Sequence, residues 1–351
     1  MTRIRVLVVD DSALVRRLVA TALKGADDIE VVAAARDGLE AVRMVDDLRP
    51  DVVTLDIEMP NLDGLGALTR IREKHPRLPV IMFSTLTERG ASATLEALSR
   101  GASDYVTKPS NTGQISDGIA AVRDQLVPRI RALAGIRKLA PGAGPVVRRT
   151  RPASAPRTVS ALLVGCSTGG PDALAHFLPR LPADFPVPVL VVQHMPPVFT
   201  AMLAQRLDKV SALEVREAVD GDEVRPGRVL VAPGDHHLRL RRGVAGVHAV
   251  LDQGPQENFC RPAVDVLFRS ALDVYGGSAI ATLLTGMGQD GLAGARQLAA
   301  AGARVLVQDE ESSVVWGMPG AVAGAGLADD VLPLDEMADR VVGVVRRCHA
   351  A

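Results

Sequence analysis

The sequence is poor in cysteine and in aromatic side chains. Its three cysteines, Cys166, Cys260 and Cys348, are odd in number and widely spaced in 351 residues, so neither a disulfide framework nor a zinc-ligand spacing is present. One tryptophan and 3% aromatics leave any core to aliphatic strands and Ala/Leu helices. No apolar run reaches the roughly 18–20 residues of a membrane span, so no direct membrane insertion is expected. The opening MTRIRVLVVDD has a short apolar run that ends in two acids, unlike a signal-peptide core. It reads as a first strand, and the protein is expected to be cytoplasmic.

Acidic residues are missing from one stretch. Residues 128–157 carry 8 basic side chains and no acidic one, whereas residues 1–127 carry 16 basic and 19 acidic and residues 158–351 carry 16 and 22. That stretch also holds Pro141, Pro145, Pro152 and Pro156 among many Ala and Gly. It has too little apolar content to pack, so it reads as a tether. It has no aromatics and no recognition helix, and no nucleic-acid partner is expected. A chain of this length exceeds one ordinary core. The expected boundaries are 1–125 for a first domain, 126–157 for the linker and 158–351 for a second domain.

The first domain alternates strand and helix. Strand-like runs are Arg5–Val9, Val31–Ala34, Val52–Leu55, Val80–Phe83 and Asp104–Thr107, and Ser12 can cap the helix that stops at Gly25. This repetition predicts a parallel sheet with helices on both faces and a site beyond the carboxyl ends of the strands. Those ends carry Asp10, Asp11, Asp56, Ser84 and Lys108. Three carboxylates at one edge call for a hard divalent cation with oxygen ligands, Mg2+. Asp56 then reads as the nucleophile towards a phosphoryl group. Lys108 would offset charge on its oxygens, and Ser84 would hydrogen-bond the modified side chain.

In the second domain GCSTGGP (Gly165–Pro171), VVQHMPP (Val191–Pro197) and LTGMGQDG (Leu284–Gly291) place Ser167, His194 and Asp290 each after a buried strand-like run. Pro171 opens a helix, so Ser167 would sit on a tight strand-to-helix turn beside backbone N–H donors. Each residue alone has a plain alternative: Ser167 and Asp290 can cap helices, and His194 can be a satisfied strand-end histidine. Together they describe a nucleophile, its base and an orienting acid, with no cofactor needed for ester hydrolysis. The order Ser, His, Asp differs from the Ser, acid, His order of α/β-hydrolases, despite the G-x-S-x-G match. The pair His236-His237 reads as strand or loop, because neighbours on a strand face opposite ways. Cys166 reads as a buried small hydrophobe.

With those residues in view, positions 3 to about 125 resemble a response-regulator receiver domain. Positions from about 158 to the end resemble the chemotaxis protein-glutamate methylesterase/protein-glutamine glutaminase family (CheB), through GCSTGGP, QHMPPVFT, VAPGDHHL, ENFCRPAVDVLFRSA, LTGMGQDG and QDEESSVVWGMPGAV. The resemblance implies an α/β architecture of two doubly wound parallel-sheet domains, a flavodoxin-like receiver and a Rossmann-like methylesterase domain. It implies phosphorylation at Asp56, Mg2+ on Asp10, Asp11 and Asp56, a Ser84/Tyr105 switch with Lys108, and a cis Lys108–Pro109 peptide. It also implies catalysis by Ser167, His194 and Asp290, with the N–H groups of Thr168 and Met287 in the oxyanion hole. The implied partners are methyl-accepting chemoreceptors and a histidine kinase, and the implied assembly is a monomer. The receiver is expected to restrain the catalytic half until it is phosphorylated.

Overall fold

The computed structural model describes residues 3–109, 115–136 and 158–349. They fall into two compact units, one within residues 1–143 and one within 144–351.

The first unit runs β1 (Ile4–Val9), α1 (Ala13–Lys24), β2 (Ile29–Ala35), α2 (Gly38–Leu48), β3 (Val52–Asp56), α3 (Gly64–Lys74), β4 (Val80–Ser84), α4 (Glu88–Ser99), β5 (Asp104–Thr107) and α5 (Ile115–Ile136). Its parallel sheet has the order β2-β1-β3-β4-β5. β3 and β4 are buried along their whole length, as strands covered on both faces must be, which is why they are continuous apolar runs. Asp37, Asp63 and Thr87 cap the N-termini of α2, α3 and α4.

The boundary expected at residue 125 falls inside α5, which continues to Ile136 through Pro128. The cause is apolar periodicity: Leu126, Val127, Ile130, Leu133 and Ala134 are all buried. Arg129 pairs with Asp104 at 3.0 Å and Arg131 with Asp28 at 2.8 Å, so the arginines that made this stretch look like a tether anchor it instead. The rest of the expected linker lies outside the described residues.

The second unit begins β6 (Ala161–Cys166), α6 (Gly170–Phe177), β7 (Val189–Gln193), α7 (Phe199–Asp208), β8 (Glu214–Glu217) and β9 (Arg228–Val231). It goes on with β10 (His237–Gly243), β11 (Gly246–Asp252), α8 (Val264–Tyr275), β12 (Ala279–Leu283), α9 (Leu292–Ala301), β13 (Arg304–Gln308), α10 (Met318–Gly324), β14 (Asp330–Leu332) and α11 (Leu334–His349). Seven strands form one sheet in the order β14-β13-β12-β6-β7-β9-β8, and β10 and β11 form an antiparallel hairpin. The hairpin turns Leu238, Leu240, Val247 and Ala249 into the core shared with α8 and β12, while Arg241 and Arg242 stay exposed.

From β6 the chain steps one way to β7, then returns and fills the other side from β12 onward. The strand order therefore reverses between β6 and β12, and the crevice beyond that switch point is where sheets of this kind take ligands. Gly165, on β6, makes this junction possible. A Cβ there would lie 2.6 Å from Val264 Cγ1 and 2.8 Å from Val264 Cγ2. Val264 is fully buried and branched at Cβ, so it has no room to yield. Gly165→Ala is expected to destabilise this unit by about 1–3 kcal/mol through overpacking, read as a lowered thermal transition.

Candidate active site

The register places Cys166 beside Gln193, so Ser167 and His194 follow at adjacent strand ends. The His194 N–H donates to Cys166 O at 3.2 Å, and the Ser167 N–H donates to Thr285 O at 3.0 Å. Gln193 fixes the turn from below: its Nε2 donates to Ser167 O at 3.0 Å and to His194 O at 3.3 Å. Gly286 lies against Ser167, where an added Cβ would come within 3.0 Å of both Ser167 Cβ and Ser167 N. Three segments, after β6, β7 and β12, thus converge on one crevice.

His194 Nε2 donates to Asp290 Oδ2 at 2.8 Å. The other ring nitrogen, Nδ1, lies 3.5 Å from Cys260 Sγ. Among the described residues no hydrogen bond joins Ser167 Oγ to the imidazole, whose two nitrogens face Asp290 and Cys260. Ser167, His194 and Met287 are partly exposed, whereas Thr168 and Asp290 are buried.

Asp290 was expected to cap the helix that starts at Leu292, if it was not catalytic. It sits instead at the N-terminus of α8. Oδ2 accepts from Val264 N at 2.6 Å, and Oδ1 accepts from Asp265 N at 3.1 Å, Gly291 N at 2.9 Å and Asn258 Nδ2 at 3.0 Å. The positive end of α8 adds to these donors. Burial would raise the Asp290 carboxyl, but His194 and the backbone donors outweigh it and hold it below the ordinary range. Burial likewise works against a charged His194, but Asp290 and Cys260 outweigh it and push the imidazole above its ordinary value.

Several of these residues are not legible from the motifs. Asn258 bridges Asp290 to Asp265 Oδ2, at 3.1 Å from the latter, and Asp265 Oδ1 accepts from Gly294 N at 2.7 Å. Asp265 is pushed up by burial and by the neighbouring Asp290 charge. The only hint in the sequence was that ENFCRPAVD sets Asn and Asp seven residues apart, astride a helix start. Thr285 Oγ1 ties the loop together, donating to Thr168 O at 2.9 Å and accepting from Val315 N at 3.0 Å. Of the other histidines, His237 is structural: its Nδ1 accepts from Ala263 N at 3.3 Å and its Nε2 donates to Pro255 O at 2.9 Å. Cys166 is fully buried, and burial pushes its thiol far up, so it is no nucleophile.

In the first unit Asp10, Asp11 and Asp56 bring carboxylate oxygens within 4.8 Å of one another. Lys108 Nζ lies 2.9 Å from Asp10 Oδ2 and 2.8 Å from Asp56 Oδ1, and 5.8 Å above the Phe83 ring. Burial, with the Asp10 charge behind it, pushes the Asp56 carboxyl up to about 6 although Lys108 pulls it back. Burial also raises Asp10. Asp10 Oδ2 is buried, and its contact with Lys108 lacks hydrogen-bond geometry. An oxygen left in that state beside two further carboxylates fits a hard cation. Ser84 is buried and donates to Gly90 O at 3.1 Å, while Tyr105 is buried with its hydroxyl pushed up by desolvation. The peptide expected to be cis before Pro109 is not: among the described residues the cis bond is Arg261–Pro262. The trans form before proline is the more stable one by about 0.5–1 kcal/mol.

The CheB methylesterase family model matches residues 162–341, and the response regulator receiver domain model matches residues 6–120. The chain belongs to the CheB methylesterase family. It is 51% identical to a protein-glutamate methylesterase/protein-glutamine glutaminase of Nocardioides sp., over 97% of this chain and 95% of that one. It is 47% identical to one of Trichodesmium erythraeum, over 97% and 99%. The crystal structure of the Thermotoga maritima CheB methylesterase catalytic domain aligns with a TM-score of 0.53 at 45% identity, over 54% of this chain and all of that one. The two α/β units of this CheB-family chain are therefore a receiver and a methylesterase domain. Among the described residues no helix is long and apolar enough to cross a membrane.

The coupling of His194 to Asp290 sets a pH dependence. With His194 as the expected base, only its neutral imidazole can accept a proton, so kcat/KM should climb as pH rises through the elevated His194 pKa. Asp290→Asn removes the charge that elevates it. The climbing limb should move to lower pH while the maximum rate falls by about 10²–10⁴-fold, as a pH–rate profile would show.

Proposed function

We propose that Ser167 is the nucleophile, His194 its base and Asp290 the group that orients and charges the imidazole. The observation that carries this reading is the His194–Asp290 pair, fastened to α8 and set beside Ser167 at the switch point. As a CheB-family enzyme the chain is a protein-glutamate methylesterase and protein-glutamine glutaminase under receiver control. Its proposed substrates are the cytoplasmic helices of methyl-accepting chemoreceptors, its phosphodonor is a chemotaxis-type histidine kinase, and it works in the cytoplasm as a monomer.

Ser167 Oγ attacks the side-chain carbonyl of a glutamyl methyl ester. Nδ1 of His194 takes the hydroxyl proton, since Nε2 is committed to Asp290. The negative charge moves to the carbonyl oxygen, where the N–H groups of Thr168 and Met287 would receive it. The proton then passes from His194 to the departing methoxide and methanol leaves. Water, deprotonated by the same imidazole, opens the acyl-serine. A glutamine side chain follows the same course with ammonia as leaving group. Gly286 packs so closely on Ser167 that an added Cβ would come within 3.0 Å of Ser167 N, which favours this role for its neighbour Met287.

In the receiver, Asp10, Asp11 and Asp56 would hold Mg2+, which supplies charge neutralisation for phosphoryl transfer. Asp56 would accept the phosphoryl group, and Lys108, already 2.8 Å from its carboxylate, would then face the phosphoryl oxygens. Ser84 and Tyr105 would report the modification. The proposed receiver spans residues 1–125 with the remainder of α5, followed by the linker and then the catalytic domain from residue 158.

Two measurements test this reading. Ser167→Ala should lose at least about 10³-fold in methanol release from methylated receptor membranes, with circular dichroism unchanged. Turnover near that of the parent protein would refute the triad. Asp56→Asn should take up no acid-labile phosphate from an acyl-phosphate donor, and its esterase rate should no longer respond to that donor. Labelling that survives the substitution would remove Asp56 from the role.

A further inference from the structure

Beside the catalytic histidine the chain makes a tight turn from Glu257 to Cys260. Cys260 N donates to Glu257 O at 2.8 Å, and Glu257 N donates to Cys260 O at 3.1 Å. Both corner residues are left-handed, Asn258 at φ 51° and Phe259 at φ 63°. This is the pattern of a type I′ turn, whose second corner strongly prefers glycine. Asn258 suits its place, because asparagine tolerates the left-handed region and its amide is bonded to Asp265 and Asp290. Phe259 does not suit its own. A bulky side chain there carries a backbone cost that glycine would not.

Folding returns nothing for that cost, since Phe259 is 96% exposed. The turn is not loose either. Glu257 pairs with Arg269, and Arg261 donates to Gly254 O at 2.9 Å and Gln253 O at 3.0 Å. An aromatic ring is therefore held out into solvent on a staked support, one residue from the thiol that touches His194.

A second residue shows the same combination. Val198, four positions after His194, is at φ 72° and 37% exposed. A β-branched residue in that region is an outlier. Gly234 packs on the Pro196–Pro197 segment, where an added Cβ would lie 2.2 Å from Pro197 N. Asp235 N in turn donates to Arg261 O at 3.1 Å. The two strained apolar residues thus stand on one connected rim of the crevice.

We infer that Phe259, supported by Val198, is a specificity-determining contact that seats an apolar patch of the protein substrate's helix beside the ester to be cleaved. The inference rests on the reading of Ser167 as nucleophile towards a glutamyl ester on a protein. The occupant is that helix, because anything attacked by Ser167 must pass the rim, and an exposed aromatic can bury about 150–250 Å² against an apolar helix face. The ring stands almost wholly in solvent, so its contribution grows with the size of the substrate.

The test compares kcat/KM on a methylated receptor cytoplasmic fragment with kcat/KM on a blocked single-residue glutamyl methyl ester. Phe259→Gly removes the ring and also relieves the backbone, so its melting temperature should equal or exceed that of the parent protein. Its ratio of receptor to small-ester kcat/KM should fall at least tenfold, mostly through KM. Phe259→Leu should recover part of the ratio, and Val210→Ala, an exposed apolar residue elsewhere, should leave it within twofold. A ratio within twofold in Phe259→Gly overturns the inference, as does a lowered melting temperature with parallel loss on both substrates. Hydrolysis of both esters by Ser167→Ala would instead overturn the underlying reading of the site.

Discussion

A carboxylate at 2% exposure keeps its charge only where donors surround it, and Asp290 has five: His194, Asn258 and the N–H groups of Val264, Asp265 and Gly291. These five donors come from four parts of the second unit. Val264 and Asp265 bring α8, Gly291 brings the start of α9, Asn258 brings the turn that carries Phe259 and Cys260, and His194 brings the end of β7. The crevice is assembled around one negative charge. Ser167 is the part least tied to it, held by the β6 turn and by Gln193.

The receiver unit applies the same topological rule with the opposite electrostatic balance. Its carboxyl edge gathers three carboxylates against one Lys108, so anions exceed donors and burial drives Asp10 and Asp56 up. In the methylesterase unit donors exceed anions, and Asp290 is driven down. The first arrangement has a deficit of positive charge that a cation answers. The second is already satisfied, with the other His194 ring nitrogen set against the Cys260 thiol.

Both architectures were legible from the βα alternation, because parallel strands buried on both faces are continuous apolar runs, and Val52–Asp56 or Val189–Gln193 can hardly be read otherwise. Ser167, His194 and Asp290 stood out because each ends such a run. The region between α7 and α8 was not legible: β8 and β9 are four residues long, and β10 alternates leucine with arginine, so no long apolar run announces them. The end of the receiver was misplaced because arginine and alanine look like tether composition until their partners, Asp104 and Asp28, are seen in space. Asp265 and Gln193 escaped because they bond backbone groups far away in sequence, and Asn258 because it bonds two carboxylates that only the fold brings together.

Asp290 holds α8 and the Asn258 turn in place, whereas Ser167 Oγ makes no hydrogen bond among the described residues. The two ends of the proposed set are therefore open to very different histories. A descendant that gave up hydrolysis and kept the scaffold for binding could drift first at Ser167, where the hydroxyl owes the fold nothing. Asp290 would be the last position to change, and an inactive relative that still carried it would be displaying architecture, not residual chemistry.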